Sequence, residues 1–435
     1  MKYFVVILAM CFCLIVKADQ KIVSTTDSKK SLKDAFLSAI DVANSENLSV
    51  QRELLLQAVE VNSQAIGLLF PTLSGSLTSL YQASTGSILG NTISPSSQTN
   101  LKFTATQPLF RGFRDFAALR QKKFLEGAQV YAILNLARQL FYDVSTAYYN
   151  VLGYIEDEKN YNQQIEVNKK RLKELEGFYK IGRSQLTDVL TFKANIASLE
   201  GQLEVTRGQL EVAKEILAFV TGWDRNISLL DQEPEVKNSE SVEVYLSKLE
   251  DRADIQNAVL NAQASHEGVA IAWGQHLPSV DLIGDYYPAR SGALQDVNWD
   301  VQLALTLPIF QGGVVQSQVR QARSVSSQSS LILSQARRTA EQEIRIFYDN
   351  LVADRRQLFK LSELVKVSKE NADTEVKYYR NGLVTNLEVL QAITTYQDAQ
   401  RLLDHQKYKV KMDATKLAAA TGQRPEINIK INNGN

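Results

Sequence analysis

The stretch Thr106-Gln107-Pro108-Leu109-Phe110-Arg111-Gly112 ends one alternating segment and opens a very long helical one, and 200 residues later Thr306-Leu307-Pro308-Ile309-Phe310-Gln311-Gly312 does the same. In each copy a strand-like run meets a proline, two apolar residues and a glycine. A proline at a strand end takes a donor out of the ladder, and glycine accepts the bend from extended to helical backbone. Pro108, Gly112, Pro308 and Gly312 are therefore predicted to mark two strand-to-helix joints.

Working outward, the run before the first joint has period two. Leu101, Phe103, Ala105 and Leu109 lie on one face; Lys102, Thr104 and Thr106 lie on the other. Before the second joint Trp299, Val301, Leu303, Leu305 and Leu307 alternate with Asp300, Gln302, Ala304 and Thr306. Each run has an upstream companion, so strands are predicted at about 72–84, 99–110, 279–287 and 298–309, with a Ser-, Gly- and Asn-rich loop inside the first hairpin.

Downstream of each joint no proline occurs from 109 to 233 or from 309 to 424, and apolar residues recur at near-heptad steps. Long helices are predicted at about 113–180 and 186–219, then at about 313–379 and 385–420. At 1.5 Å per residue the longer ones are rods of roughly 100 Å. Gly182 and Gly382 sit at the turns between paired rods, and Thr221-Gly222 and Thr421-Gly422 end them. Helical segments at 31–69 and 246–275, stopped by Pro71 and Pro278, precede the two hairpins.

The halves are one unit written twice. At the same offset, without a gap, Tyr148/Tyr348, Asn150/Asn350, Tyr179/Tyr379, Gly182/Gly382, Leu190/Leu390 and Thr221/Thr421 recur. The expected organisation is a signal peptide at 1–18, a first repeat at 19–222, an inter-repeat segment at 223–245, a second repeat at 246–422 and a tail at 423–435. The signal reading rests on Lys2, the apolar run Tyr3 to Val16 and Val16-Lys17-Ala18. Met10 departs from the small residue that a lipoprotein signal wants before Cys11, so acylation is not expected. Both cysteines, Cys11 and Cys13, would leave with that peptide.

Several function classes are excluded. The 48 basic and 48 acidic residues cancel, so nothing electrostatic points to nucleic acid. His266, His276 and His405 lack ligand spacing, and there is no phosphate loop, nucleophile elbow or paired-cysteine motif. No enzyme activity, cofactor or metal site is expected. Charged runs such as Lys169-Lys170-Arg171 with Glu174 and Glu176 read as the wet faces of packed rods.

Past the leader, no run of 18 apolar residues offers a membrane helix, so only strands can cross a bilayer. Four strands per chain are too few, because a closed barrel needs at least about eight. The chain must pool strands, and three copies would give twelve. Thr104, Thr106, Asp300, Gln302 and Thr306 would then line the interior; Leu101, Phe103, Val301, Leu303 and Leu305 would face lipid. Tyr81, Phe110, Tyr287, Trp299 and Phe310 would form the interfacial girdle. The alternative is a structural coiled-coil surface protein or adhesin without a conduit, although such a stalk has no use for strands with two different faces.

The duplicated hairpins ending in Pro-Leu-Phe-Arg-Gly and Pro-Ile-Phe-Gln-Gly, the Tyr-x-x-Gly turns and the Thr-Gly helix ends resemble the outer membrane efflux protein (TolC-like) family over essentially all of the chain beyond the leader. The resemblance implies a mainly α fold with a small β part. It also implies a homotrimer with a twelve-stranded outer-membrane barrel on a twelve-helix periplasmic tunnel, girdled by an equatorial collar from 223–245, the short helical segments and the tail, where Ile427, Ile429 and Ile431 alternate as a collar strand would. By the same resemblance the protein is the exit duct of a tripartite efflux pump or type I secretion system. Its partners would be outer-membrane lipid, a periplasmic adaptor and an inner-membrane RND or ABC transporter. The turns at Gly182 and Gly382 would be the periplasmic tips that close the channel. Glu388 matches one of two acids lining the constriction, and Gln391 replaces the second. Asp188 matches a residue linking the closed tip to the second repeat, and Tyr379 its aromatic partner.

Overall fold

The computed structural model describes residues 29–41, 45–83, 85–88, 91–94, 96–231, 240–291 and 294–422. The leader and the tail, including the collar strand expected at Ile427 to Ile431, lie outside them.

The chain opens with two short helices, α1 (Leu32–Ala39) and α2 (Glu46–Gly67). Sequence periodicity over 31–69 reads as one segment, but each piece has its own start. Ser31 and Asp34 close a capping box on α1, and the Ser45 hydroxyl accepts from the Leu48 N–H at 3.3 Å to begin α2. α1 ends where Phe36 has reached the core, its ring edge-on to Phe141 at 4.9 Å.

Strand β1 (Thr72–Tyr81) follows, then a small hairpin of β2 (Thr85–Ile88) and β3 (Asn91–Ser94) within what composition marks as loop, then β4 (Ser97–Arg111). α3 (Arg114–Lys180) and α4 (Leu186–Thr221) complete the first half. The second half contains α5 (Val242–Leu246), α6 (Ala253–Trp273), β5 (Ser279–Ala289), β6 (Trp299–Thr306), α7 (Val314–Arg380) and α8 (Asn386–Ala420).

β1, β4, β5 and β6 form one antiparallel sheet in the order β1-β4-β5-β6, so both halves contribute two adjacent strands. The two prolines behave differently within it. Pro108 lies inside β4, opposite Asp281 and beside a register shift, and pairing continues to Arg111↔Ser279. A central strand has a partner on each side and tolerates one missing donor at an irregularity. β6 is an edge and stops at Thr306, two residues before Pro308, short of the expected 309. The bend into α3 is therefore carried by Gly112 (φ +64°) and Phe113 (φ +60°), not by Pro108.

Below the sheet the rods pack in the order α4, α3, α8, α7, with α6 wedged between α3 and α7. Within each repeat the seam is mainly apolar. Leu175, Val189, Phe192 and Ile196 join α3 to α4; Ile344, Leu351, Val410 and Leu417 join α7 to α8. The seam between repeats differs. On α3 the buried residues Asp157, Asn160, Gln164 and Asn168 follow one another at helical steps and face α8, and Arg171 continues the row to Tyr379 of α7.

Midway along α3, at the level where α4 ends, Tyr148 ties the segment before α1 to the inter-repeat segment. Its hydroxyl lies 2.8 and 2.7 Å from the carbonyl oxygens of Lys30 and Leu230, which flank the parallel bridge Lys30↔Leu229. Nearby Arg252, almost fully buried, binds Asp254 at 2.7 Å and also Glu343 and the Ala420 carbonyl. Arg138 reaches the same two acids, joining α3, α6 and α7.

Candidate functional site

Register places each sheet residue on a face. Leu77↔Leu101, Phe103↔Tyr286, Tyr286↔Trp299, Gly284↔Val301 and Leu282↔Leu303 stack along one side. This side is mainly apolar and open to the surroundings; Leu73, Leu77, Val301 and Leu303 are each more than 60% exposed. A patch of that size on a chain of known apolar burial marks contact with lipid or another protein. Gly75 fits it because the Phe103 ring lies over that position, 3.2 Å from where a Cβ would stand.

The opposite side is polar and ion-paired. Lys102 Nζ lies 3.1 Å from Asp285, which also accepts from the Thr104 hydroxyl, and Arg111 lies 3.2 Å from Asp281. Thr106, Asp300 and Gln302 share this side through Thr106↔Ile283, Asp285↔Asp300 and Ile283↔Gln302. Of the aromatic residues read as a girdle, Tyr81, Trp299 and Phe310 are exposed. Tyr287 instead turns to the polar side, beneath the Arg290 guanidinium at 4.0 Å, and Tyr286 takes its place beside Trp299. Consecutive tyrosines straddle a strand, and sequence alone did not settle which one faces out.

The other end of the molecule is the pair of helix turns. Gly182 and Gly382 both adopt φ +73°. Their neighbours close the helix ends identically: Arg183 N–H donates to the Phe178 carbonyl at 2.8 Å, and Leu383 N–H to that of Tyr378 at 3.0 Å. Asp188 and Glu388 each sit at the third position of the following helix and cap it. Asp188 accepts from the Gln185 N–H at 3.2 Å and the Ser184 hydroxyl at 2.9 Å. Glu388 accepts from the Thr385 N–H at 2.6 Å and its hydroxyl at 2.9 Å, and these bonds hold its carboxyl below the usual carboxylate range. Gln391 is exposed one turn further along.

Asp188 and Tyr379 thus come to the same end, but the Asp188 carboxylate is engaged in its own turn. The contact that crosses between repeats here is made by Arg171, whose guanidinium lies 4.6 Å above the Tyr379 ring while donating to Glu174 at 2.7 Å. Tyr379 also meets Phe178 at 6.5 Å, and Arg380 approaches Glu174 at 4.0 Å. Arg171 is 6% exposed and is not part of a wet face, unlike Lys169 and Lys170 beside it. Its phase was the available signal, since it lies four residues before the buried Leu175 and three after Asn168. Apolar tips surround this contact: Ile181, Leu186, Leu383 and Leu387 are all exposed.

No described helix is long and apolar enough to cross a membrane. Among the described residues no group of His, Cys, Asp and Glu could hold a metal ion.

Comparison with known proteins agrees with this geometry. Over 346 residues the chain is 27% identical to the outer membrane protein TolC of Escherichia coli K12, covering 75% of this chain and 70% of that one. The crystal structure of the outer membrane protein VceC of Vibrio cholerae superposes with a TM-score of 0.76 at 21% identity, over 90% of this chain and 96% of that one. The open state of the MtrE outer membrane channel of Neisseria gonorrhoeae gives 0.72 at 18% identity, over 90% and 88%. Residues 43–223 and 244–423, one stretch for each repeat, match the family described as outer membrane efflux protein, and the chain belongs to that family.

Proposed function

We propose that three copies of this chain form the outer-membrane exit duct of a tripartite efflux pump or type I secretion system. One observation carries the proposal: the four-stranded sheet has two open edges, β1 and β6, and one mainly apolar face. In hydrocarbon each unpaired backbone group costs several kcal/mol. Joining β6 of one copy to β1 of the next satisfies those groups, and a ring of three makes a closed barrel of twelve strands with the ion-paired face inward. The rods support the same ring. Their outer members, α4 and α7, expose apolar side chains such as Val212 and Ile216 on one and Phe359 and Val367 on the other. Those two surfaces differ, which suits a head-to-tail ring.

The tip supports a gate. Arg171 on Tyr379 and Glu174 near Arg380 hold the two repeats together in the closed state. Glu388, ionised by its capping bonds, recurs about the threefold axis with Gln391 beside it and favours cations at the entrance. Asp188 positions the neighbouring turn. The exposed Ile181, Leu186, Leu383 and Leu387 are the docking face for a periplasmic adaptor, which couples the duct to an inner-membrane RND or ABC transporter. The segment 223–245 and the tail serve as its collar.

Purified protein in detergent, reconstituted into planar bilayers, tests this. Trimers with stepwise conductance are expected. A stable single protomer, or trimers that never conduct, would overturn it.

A further inference from the structure

Within the second repeat, the apolar seam between α7 and α8 contains two acids. Asp354 on α7 and Asp413 on α8 are 5% and 7% exposed. Leu351, Val410, Leu417 and Ala414 surround that level of the seam, and Tyr245, Leu246 and Leu249 close it from outside. Two carboxylates in such surroundings need two countercharges, and one is close. Lys409 Nζ lies 2.9 Å from Asp354 Oδ1, while Gln406 Nε2 donates to the Asp354 carbonyl at 3.1 Å. Lys416 acts on Asp413 more weakly than Asp354 does. Tyr245 and Tyr348 pack against the same cluster on the α7 side, and Arg355 follows Asp354 on α7, beside Val410 and Lys411. Asp354 Oδ2 is buried and has no donor. An orphaned buried acceptor beside a second carboxyl has a simple resolution, a proton held between them.

We propose that Asp413 takes up a proton on mild acidification and donates it to Asp354, forming a carboxyl–carboxylate clasp that tightens α7 against α8, and that loss of the proton loosens this hairpin. The inference rests on the packing of α7 and α8 and is independent of the duct. Burial, then the hydrogen bond with Asp354 and its charge, push the Asp413 carboxyl up to about 7, while Asp354, despite its own burial, is held low by Asp413 and Lys409. Because the folded value is raised, the folded chain binds the extra proton. Stability therefore falls as pH climbs from the ordinary carboxylate range to about 7, and is level beyond.

The full-length protein in detergent gives two independent readouts. Infrared difference spectra of the wild type should contain a protonated carboxylic acid band at about pH 5.5 that is gone at about pH 8.5, and the melting temperature should fall by a few degrees over the same interval. In Asp413→Asn the amide occupies the place of the acid and donates to Asp354. That variant should lack the band and melt independently of pH over this range, at or above the alkaline wild-type value. Asp354→Asn should also lose the band, which separates the pair from other carboxyls. A wild type without an acid band at low pH would overturn the clasp. So would a band and pH slope that persist in both variants, or a pair held together by sodium instead of a proton.

Discussion

Gly112 and Gly312 are equivalent in sequence, and their backbones agree, with φ of +64° and +62°. Their surroundings do not. A Cβ on Gly112 would stand 2.3 Å from the Gly274 carbonyl oxygen, whereas nothing approaches Gly312 within 4 Å. Alanine at either position meets left-handed strain of about 1–2 kcal/mol. At Gly112 it meets a further overpacking penalty of about 1–3 kcal/mol. Gly112→Ala should therefore lower the melting temperature clearly more than Gly312→Ala, and equal losses would show that the close approach to Gly274 carries no weight. Arg171 makes a second prediction at this scale. Its stack on Tyr379 contributes about 0.5–2 kcal/mol across the repeats. Arg171→Ala should raise single-channel conductance, and Arg171→Lys should not restore the closed value, because an ammonium has no plane to lay on the ring. Unchanged conductance in Arg171→Ala would remove that residue from the gate. Asp188 and Glu388 were singled out by the family resemblance, but their bonds to Ser184, Gln185 and Thr385 were not legible, because a cap and a lumen ligand look alike on paper. Arg171 was missed because an arginine among lysines reads as solvated.

At the scale of elements, two kinds of seam separate. Inside each repeat the rods meet through residues such as Phe192 and Leu175, both fully buried. Between repeats they meet through Asn160 on Asp404 at 3.1 Å and through Gln164 and Asn168 on Gln397, both at 3.3 Å. Truncating a buried aromatic costs about 3–5 kcal/mol, whereas removing one neutral hydrogen-bonding partner costs about 1–3 kcal/mol. Phe192→Ala should lose more stability in denaturant than Gln397→Ala. Hydrogen exchange should likewise find α7–α8 parting from α3–α4 before either pair opens internally. The reverse order would mean that the polar seam is the stronger one. The rods themselves were readable from the absence of proline and from steps of three and four. The polar seam was hidden because a periodicity search counts Asn160, Gln164 and Asn168 as wet. The strands were readable from alternation, but their ends were not. β4 runs through Pro108 because it is central, and β6 stops at Thr306 because it is an edge. That distinction depends on sheet order, which one sequence does not contain.

At the scale of the whole molecule, a single chain is unfinished at both ends of its cross-section. The sheet ends in bare edges, and α4 carries an outward stripe of Val205, Val212, Ile216 and Phe219, each more than half exposed. Gly201 and Gly208, with open space about them, leave hollows between those side chains on the same helix. A stripe at these steps, bordering an open groove that Ala147, Asn150 and Tyr154 of α3 line on its other side, fits a neighbouring rod packed in the manner of a coiled coil. The rod available in a ring is α7 of the next copy, with Phe359 and Val367 to fill the hollows. Placing charge on this stripe leaves the buried side of α4, with Leu203, Leu210 and Leu217, untouched and strikes the ring. The double variant Val212→Glu with Ile216→Glu should therefore keep wild-type helix content and lose the trimer on native gels, since two carboxylates per junction cannot be buried without partners. Reduced helix content would mean that the stripe belongs to the protomer. Trimers of undiminished stability would mean that α4 faces water in the assembly and that the sheet edges alone close the ring.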